Sequence, residues 1–285
     1  MTSSTEQFEF IKFFNQVGIE DIPIVGGKNA SLGEMYQALT PQGILVPNGF
    51  AVTAQAYRAL LTENNLWDEL HQIIDPLDET DMADLANRGN LARALVFNAP
   101  FPKQLETEII QAYALLKAEF ADEISLAIRS SATAEDLPTA SFAGQQDTYL
   151  NVTGEQALLN ACKRCFASLF TDRAIHYRID NGFDHFSVGL SIGVQKMVRA
   201  DLAASGVMFS IDTETGFKDA AFITGAYGLG ENVVQGAVEP DEFYVHKPTF
   251  ELGFRCILKR HLGRKKIKMV YATDTTKSPV LNIPT

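Results

Sequence analysis

The chain has 285 residues, of which 46% are hydrophobic and 21% charged, a composition typical of a globular protein with a large core. Its formal net charge of −11 disfavours a general nucleic-acid-binding role, because an acidic surface repels the phosphate backbone. A few local cations and backbone amides would still bind a small anion such as a nucleotide. The sequence shows no basic, apolar export signal, no apolar run long enough to span a bilayer, and only three cysteines. We therefore expect a cytoplasmic protein without a membrane partner.

The first segment with a chemical signature is VGGKNASLGEMYQAL, residues 25–39. Gly26 and Gly27 precede a predicted helix, and Lys28 falls in its first turn. The apolar face predicted for this helix consists of Leu32, Met35, Tyr36 and Leu39. Backbone amides, the positive helix end and an ammonium can together hold a phosphate, although the spacing is not that of a P-loop. For the tripeptide alone, a flexible turn with a solvated lysine is the better interpretation.

Two amphipathic helices are predicted further along the chain. Residues 103–120 and 155–170 both place apolar side chains at spacings of three and four. Thr153 and Gln156 precede the second helix at the spacing of a capping box. The first half of the chain is therefore rich in helix.

Between these two helices lies AIRSSATAEDLPTASFAGQQ, residues 127–146. A short apolar strand is expected to end near Arg129, and small polar residues then lead to the strand-like DTYLNV. A small polar loop between two strands can lay backbone amides over a phosphate chain, and Arg129 would supply a bidentate cation. On composition alone, an ordinary surface loop is at least as consistent with the pattern.

The second half of the chain changes to the period of a strand. In SVGLSIGVQKMV, residues 187–198, large apolar residues alternate with serine and glycine, which predicts a strand with one apolar face and one small face. Further strands are predicted around 207–211, 241–247 and 254–259.

Helices and strands are thus mixed, and their distribution along the chain is uneven. The pattern predicts an α/β or α+β fold with a helix-rich first lobe, residues 1–185, and a strand-rich second lobe, residues 186–285.

A glycine-rich segment, TGAYGLGENVVQGAVEPDEF at residues 224–243, surrounds Glu231 and leads to Asp241 and Glu242. Glycine in this density suggests a backbone that another group approaches closely. The carboxylates could face a metal-bound phosphate, yet their spacing fits no metal-ligand pattern. We therefore predict no metal ligand among them, and a connection with solvated acids is the simpler interpretation.

Five segments of the chain together resemble successive blocks of the N-terminal ATP-binding domain of the phosphoenolpyruvate synthases, the pyruvate, water dikinases. They span about residues 15–270 in the family's order and are VGGKNASLGEM, VPNGFAVT, AIRSSATAEDLPTASFAGQQDTYLNV, SGVMFSID and GLGENVVQGAVEPDEFYVHKPT. The first three blocks are also similar to rifampicin phosphotransferase and pyruvate phosphate dikinase. The last block favours the synthase.

The resemblance implies an ATP-grasp-like fold whose two lobes hold ATP, with Mg²⁺ bridging the phosphates. It assigns Lys28 and Arg129 to the ATP phosphates as the catalytic cations, and Gly144 and Thr148 to the phosphate loop. It places Gln195 at the adenine end of the cleft. The residues that match nucleotide-binding positions of the family are Lys28, Arg129, Gly144, Thr148, Gln195, Met197 and Glu231.

In the complete enzyme, the resemblance implies that ATP phosphorylates a histidine on a mobile domain, which carries the phosphoryl group to pyruvate. The products are phosphoenolpyruvate, AMP and phosphate. Up to Thr285 the sequence contains neither the family's Gln-Ala-Arg-Pro motif nor a histidine in its Thr-Cys-His-Ala context. We therefore expect an N-terminal fragment that is inactive alone and meets pyruvate and the phosphohistidine domain only in the full-length enzyme. The ATP domain of an antibiotic-phosphorylating dikinase and a standalone nucleotide-binding module are the alternatives.

Overall fold

In the computed structural model the chain divides into two compact units, Met1–Met197 and Val198–Thr285. The structure describes residues 8–78, 80–120, 123–133, 136–137, 140–141, 147–272 and 279–285. Both units combine helices with antiparallel sheets, which confirms the mixed α/β class. Among the described residues, no helix combines the length and the apolarity needed to cross a bilayer.

The first unit is built on a five-stranded antiparallel sheet. Its helices are α1 (Ile22–Leu39), α2 (Ala54–Glu63), α3 (Trp67–Ile74), α4 (Met82–Asn98), α5 (Lys103–Ala118), α6 (Glu155–Ala167) and α7 (Asp172–Asp180). Its strands are β1 (Ile11–Phe13), β2 (Gly49–Val52), β3 (Leu126–Ala132), β4 (Asp136–Leu137), β5 (Ala140–Ser141), β6 (Thr148–Val152) and β7 (Leu190–Lys196). The sheet has the order β1-β2-β7-β3-β6, and β4 pairs with β5 in a separate ribbon.

The central strand β7 belongs to the first unit because it pairs along its length with β2 and β3. The boundary predicted between residues 185 and 186 lies before this strand, whereas the two units divide after it. The strand predicted within residues 187–198 is therefore the central strand of the first sheet, and the second unit begins after it.

The two faces of this sheet carry side chains of different size. Along β7, Leu190, Ile192 and Val194 are fully buried in the main hydrophobic core. Ser191 and Gly193 point to the opposite face, because successive side chains of a strand alternate, and this face is covered by α1. A small cluster fills the space around α1 and consists of Val17, Val25, Ala30 and Ala51.

The helices predicted from apolar periodicity are confirmed. Helix α5 buries Leu105, Ile109, Tyr113 and Leu116 of the predicted apolar stripe and ends at Ala118, before its last member, Phe120. Helix α6 is followed by a 3₁₀ turn that ends at Phe170. The capping box predicted before α6 is wrong. The N-cap is Gly154 with φ of 82°, and no side chain caps the helix.

Helix α1 buries a different face from the predicted one. Asn29, Ala30 and Gly33 are buried, and a Cβ on Gly33 would lie 2.2 Å from the carbonyl oxygen of Val17. Met35, in contrast, is 41% exposed. The predicted face was wrong because small side chains let this helix approach its neighbours closely, so its packing surface is not its most hydrophobic one.

The second unit contains a four-stranded antiparallel sheet of order β11-β10-β9-β8 and a β12-β13 ribbon. Its strands are β8 (Ala204–Phe209), β9 (Ala220–Tyr227), β10 (Asp241–His246), β11 (Ile257–His261), β12 (Ile267–Tyr271) and β13 (Val280–Pro284). Its helices are α8 (Glu231–Val234) and α9 (Lys247–Glu251). Phe209, Phe222 and Tyr244 stack across neighbouring strands, with ring centroids 6.2 and 4.7 Å apart. The strand predictions for this half are confirmed by β8, β10 and β11.

Candidate functional site

The approach to α1 is fixed by an ion pair. Lys12 Nζ on β1 lies 2.8 Å from Asp21 Oδ1, and the Gly18 amide donates to Asp21 Oδ2 at 3.0 Å. Burial opposes the charge of Asp21, but the hydrogen bonds from Lys12 and Gly18 outweigh it and lower the pKa of this carboxyl. Asp21 therefore stays ionised and holds the start of the helix against β1.

Helix α1 changes direction at Gly26, where φ is 74° and ψ is 163°. This left-handed φ favours glycine. A Cβ here would also lie 2.3 Å from Ser131 Oγ, so the kink packs directly on β3. A new helical segment begins at Gly27, and the partly buried Lys28 occupies its first turn, as predicted.

Asn29 joins this first turn to the sheet. Its side-chain amide donates to Val25 O at 3.0 Å and to Ser191 Oγ at 3.1 Å. Its backbone N–H donates to Ser131 Oγ at 3.4 Å, and Ser191 Oγ donates to Val52 O at 2.8 Å. The helix start is thus tied to β2, β3 and β7 at once.

Arg129 lies on the same face of the sheet as this first turn. It is the cross-strand partner of Gly193 on β7 and of Thr148 on β6. A Cβ on Gly193 would lie only 2.3 Å from Asn29 Oδ1. Lys28 therefore belongs to the helical turn that packs, through Asn29, on the small-residue region that Arg129 borders.

The prediction that β3 ends near Arg129 is wrong. Ser130, Ser131 and Ala132 remain paired with β7, and the Thr133 amide then donates to Gly189 O at 2.9 Å. The strand continues to Ala132, but its residues become small because α1 packs closely on them, as Gly26 does on Ser131. Arg129 is consequently anchored in mid-strand.

Two further predicted residues lie at the end of β7. Gln195 pairs with Gly49 and Ala127, and its Nε2 donates to Pro47 O at 3.0 Å. By alternation Gln195 shares the face of Gly193. Met197 follows the strand, and its sulfur accepts the backbone N–H of Asn151 at 2.9 Å. The structure thus brings Gln195 onto the sheet face of Arg129, the face on which α1 packs, while Met197 contacts Asn151 on β6.

The remaining predicted residues are not assembled with this group. Gly144 lies outside the described residues. Glu231 begins α8 in the second unit and accepts a hydrogen bond from Gln235 Nε2 at 2.7 Å.

The acidic end of the glycine-rich segment has a structural partner. Asp241 pairs with Lys265, which is 7% exposed, and accepts the Gly263 amide at 2.9 Å. The hydrogen bond from Lys265 is the main cause of the lowered pKa of Asp241. Within the described ranges, no group of three or more His, Cys, Asp or Glu residues is arranged to hold a metal ion.

Sequence reasoning missed the residues that hold the site together. Asn29 and Ser191 are 1% and 0% exposed, and Gly193 receives the Asn29 side chain. The alternation of small residues along β7 was the available signal, because a strand face without large side chains can accept a closely packed helix.

The chain belongs to the family of the pyruvate phosphate dikinase AMP/ATP-binding domain, whose model matches residues 22–285. It is 59% identical over 272 residues to phosphoenolpyruvate synthase of Synechocystis sp., covering 94% of this chain and 33% of that protein. It is 56% identical over 277 residues to phosphoenolpyruvate synthase of Helicobacter pylori, covering 97% and 34%. The corresponding values for phosphoenolpyruvate synthase of Escherichia coli are 55% over 262 residues, covering 92% and 33%. The chain spans about a third of the length of these curated relatives.

Proposed function

We propose that the chain binds ATP beside α1, on the side of its five-stranded sheet that bears Arg129, and is the ATP-binding domain of a phosphoenolpyruvate synthase. In that enzyme ATP phosphorylates a histidine, and the phosphoryl group passes to pyruvate. The observation that carries the proposal is the close packing of the Gly26–Gly27–Lys28 turn on the strand face that bears Arg129. Membership of an AMP/ATP-binding-domain family supports it.

The chemistry of this face suits a polyphosphate. The Lys28 ammonium and the Arg129 guanidinium supply two positive charges, and the positive dipole end of the helical segment that follows the Gly26 kink also favours an anion. Thr148 is exposed beside Arg129 and adds a hydroxyl. These groups would orient the phosphates and compensate the charge that develops during phosphoryl transfer.

The described residues of this face offer cations and hydroxyls, and the described ranges contain no metal-holding cluster. They therefore do not form a resident magnesium site. We propose that Mg²⁺ arrives bound to the phosphates of ATP, where it neutralises their charge.

The adenine is proposed to lie near Gln195, at the C-terminal end of β7. Its Nε2 is directed to Pro47 O, so its Oε1 is the acceptor available to the adenine amino group. The two compact units are proposed to be the two lobes of an ATP-grasp-like fold, with Met197 and Glu231 as further nucleotide contacts.

Pyruvate is favoured over an antibiotic as the final acceptor because the relatives that cover most of this chain carry the name phosphoenolpyruvate synthase. The same matches favour an enzyme domain over a standalone nucleotide-binding module.

Calorimetric titration of the full chain with Mg-ATP tests the site. We expect Lys28→Ala and Arg129→Ala each to weaken binding by roughly 10- to 100-fold, because each removes a charge-assisted hydrogen bond to phosphate. Lys103→Ala is the matched control, since it removes an exposed lysine at the start of α5. Unchanged affinity in both Lys28→Ala and Arg129→Ala would contradict the site.

A further inference from the structure

Asn29 is a buried amide that the proposed ATP contacts do not use. It is 1% exposed, so it cannot reach a ligand. It is nevertheless linked to both cations, because it follows Lys28 in the chain and its Oδ1 lies against Gly193, the register partner of Arg129.

The hydrogen bonds of Asn29 close the kink in α1. Val25 precedes the kink at Gly26 and Asn29 follows it, so the 3.0 Å bond from Asn29 Nδ2 to Val25 O spans the change of direction. The second Nδ2 bond, to Ser191 Oγ at 3.1 Å, holds the closed turn on β7. One side chain thus fixes both the shape of the turn and its place on the sheet.

The fit between helix and sheet leaves the turn little freedom to move. A Cβ on Gly26 would lie 2.3 Å from Ser131 Oγ, and a Cβ on Gly193 would lie 2.3 Å from Asn29 Oδ1. Removing the Asn29 side-chain amide would leave two buried acceptors, Val25 O and Ser191 Oγ, without the donor that Asn29 Nδ2 supplies. The turn would then shift, and Lys28 would shift with it. Such a shift matters because the groups of a binding site must be held within about 0.5 Å of their productive positions.

We propose that Asn29 is a positioning residue for the nucleotide phosphates. Its amide holds the turn that follows the Gly26 kink in a fixed register with β7, and this register positions Lys28 relative to Arg129. This inference rests on the proposed function, because it assumes that the phosphates of ATP bind between Lys28 and Arg129.

A double-mutant cycle tests the inference. Mg-ATP affinity is measured by calorimetry for the full chain and for Asn29→Ala, Lys28→Ala and the double variant. We expect Asn29→Ala to weaken binding about 10-fold and the double variant to bind less than about 3-fold more weakly than Lys28→Ala alone, because positioning has little effect once the ammonium is gone.

Two further variants separate positioning from general destabilisation. Ile192→Ala removes a buried side chain from the other face of β7, and we expect its ATP affinity to stay within about 2-fold of the starting protein. Ser191→Ala removes one acceptor of Asn29 and leaves the bond to Val25, so it serves if Asn29→Ala does not fold. We expect it to weaken binding about 3-fold.

The outcomes distinguish this inference from the proposed function. Two results would overturn the positioning role alone. One is an unchanged Mg-ATP affinity in folded Asn29→Ala. The other is a loss of affinity in the double variant that equals the product of the Asn29→Ala and Lys28→Ala losses. Equal losses in Asn29→Ala and Ile192→Ala would also overturn it. Unchanged affinity in both Lys28→Ala and Arg129→Ala would overturn the proposed function and the positioning role together.

Discussion

The two faces of strand β7 are buried to the same degree and differ in what they contribute. Leu190, Ile192 and Val194 enter the main core, whereas Ser191 and Gly193 meet α1 through hydrogen bonds and close backbone contacts. The large face stabilises the unit, since burying a large aliphatic side chain contributes about 1.5–3 kcal/mol. The small face contributes little apolar area but lets a helix start lie directly on the sheet. Side-chain size, more than burial, separates the face that stabilises the unit from the face that accepts the closely packed helix.

The largest effect is expected from the stabilising face. Ile192→Ala should lower the free energy of unfolding by about 3 kcal/mol, because it deletes buried methyl groups and leaves a cavity in a central strand. Urea denaturation followed by tryptophan fluorescence measures this loss. Ile192→Val is the matched control and should lose only about 1 kcal/mol. A loss below 1 kcal/mol in Ile192→Ala would show that the large face does not dominate stability.

A smaller effect is expected from the pair of Arg178 and His185, which precede β7 in the chain. Arg178 is fully buried, and its Nε donates to His185 Nδ1 at 2.9 Å. Burial, reinforced by the charge of Arg178, lowers the pKa of His185 to about 4. The folded state therefore keeps this ring neutral at a pH where the unfolded chain binds a proton.

The free energy of unfolding should consequently be constant above about pH 6.5 and fall as the pH decreases toward 4. After allowance for the partial exposure of the ring, the His185 contribution is on the order of 1–2 kcal/mol. Denaturation at pH 7 and pH 5 measures the change. His185→Gln keeps an acceptor for Arg178 and removes the titration, so it should show a smaller decrease. An identical decrease in both proteins would rule out this assignment.

The sequence predicts the large-residue face of β7 better than the small-residue face, for a physical reason. Large apolar residues repeat at the period of their element, so α5 and the core side of β7 could be recognised directly. The packing face of α1 consists of Asn29, Ala30 and Gly33, and hydrophobicity does not mark such residues. Resemblance to a known family supplied Lys28 and Arg129, whereas their shared face depends on a strand register that no local pattern reveals.

Other differences also arise from long-range contacts or from backbone conformation. The placement of Arg129 in mid-strand depends on pairing between β3 and β7 across about sixty residues of chain. The N-cap of α6 is Gly154, which has a positive φ, and the capping-box spacing of Thr153 and Gln156 gives no information about this backbone conformation.

The most direct test of the account is a crystal structure of the chain with Mg²⁺ and a non-hydrolysable ATP analogue. We predict phosphate oxygens within about 3 Å of Lys28 Nζ and of the Arg129 guanidinium, beside α1 on the side of the five-stranded sheet that bears Arg129. A polyphosphate bound at another surface, with neither Lys28 nor Arg129 in contact, would contradict it.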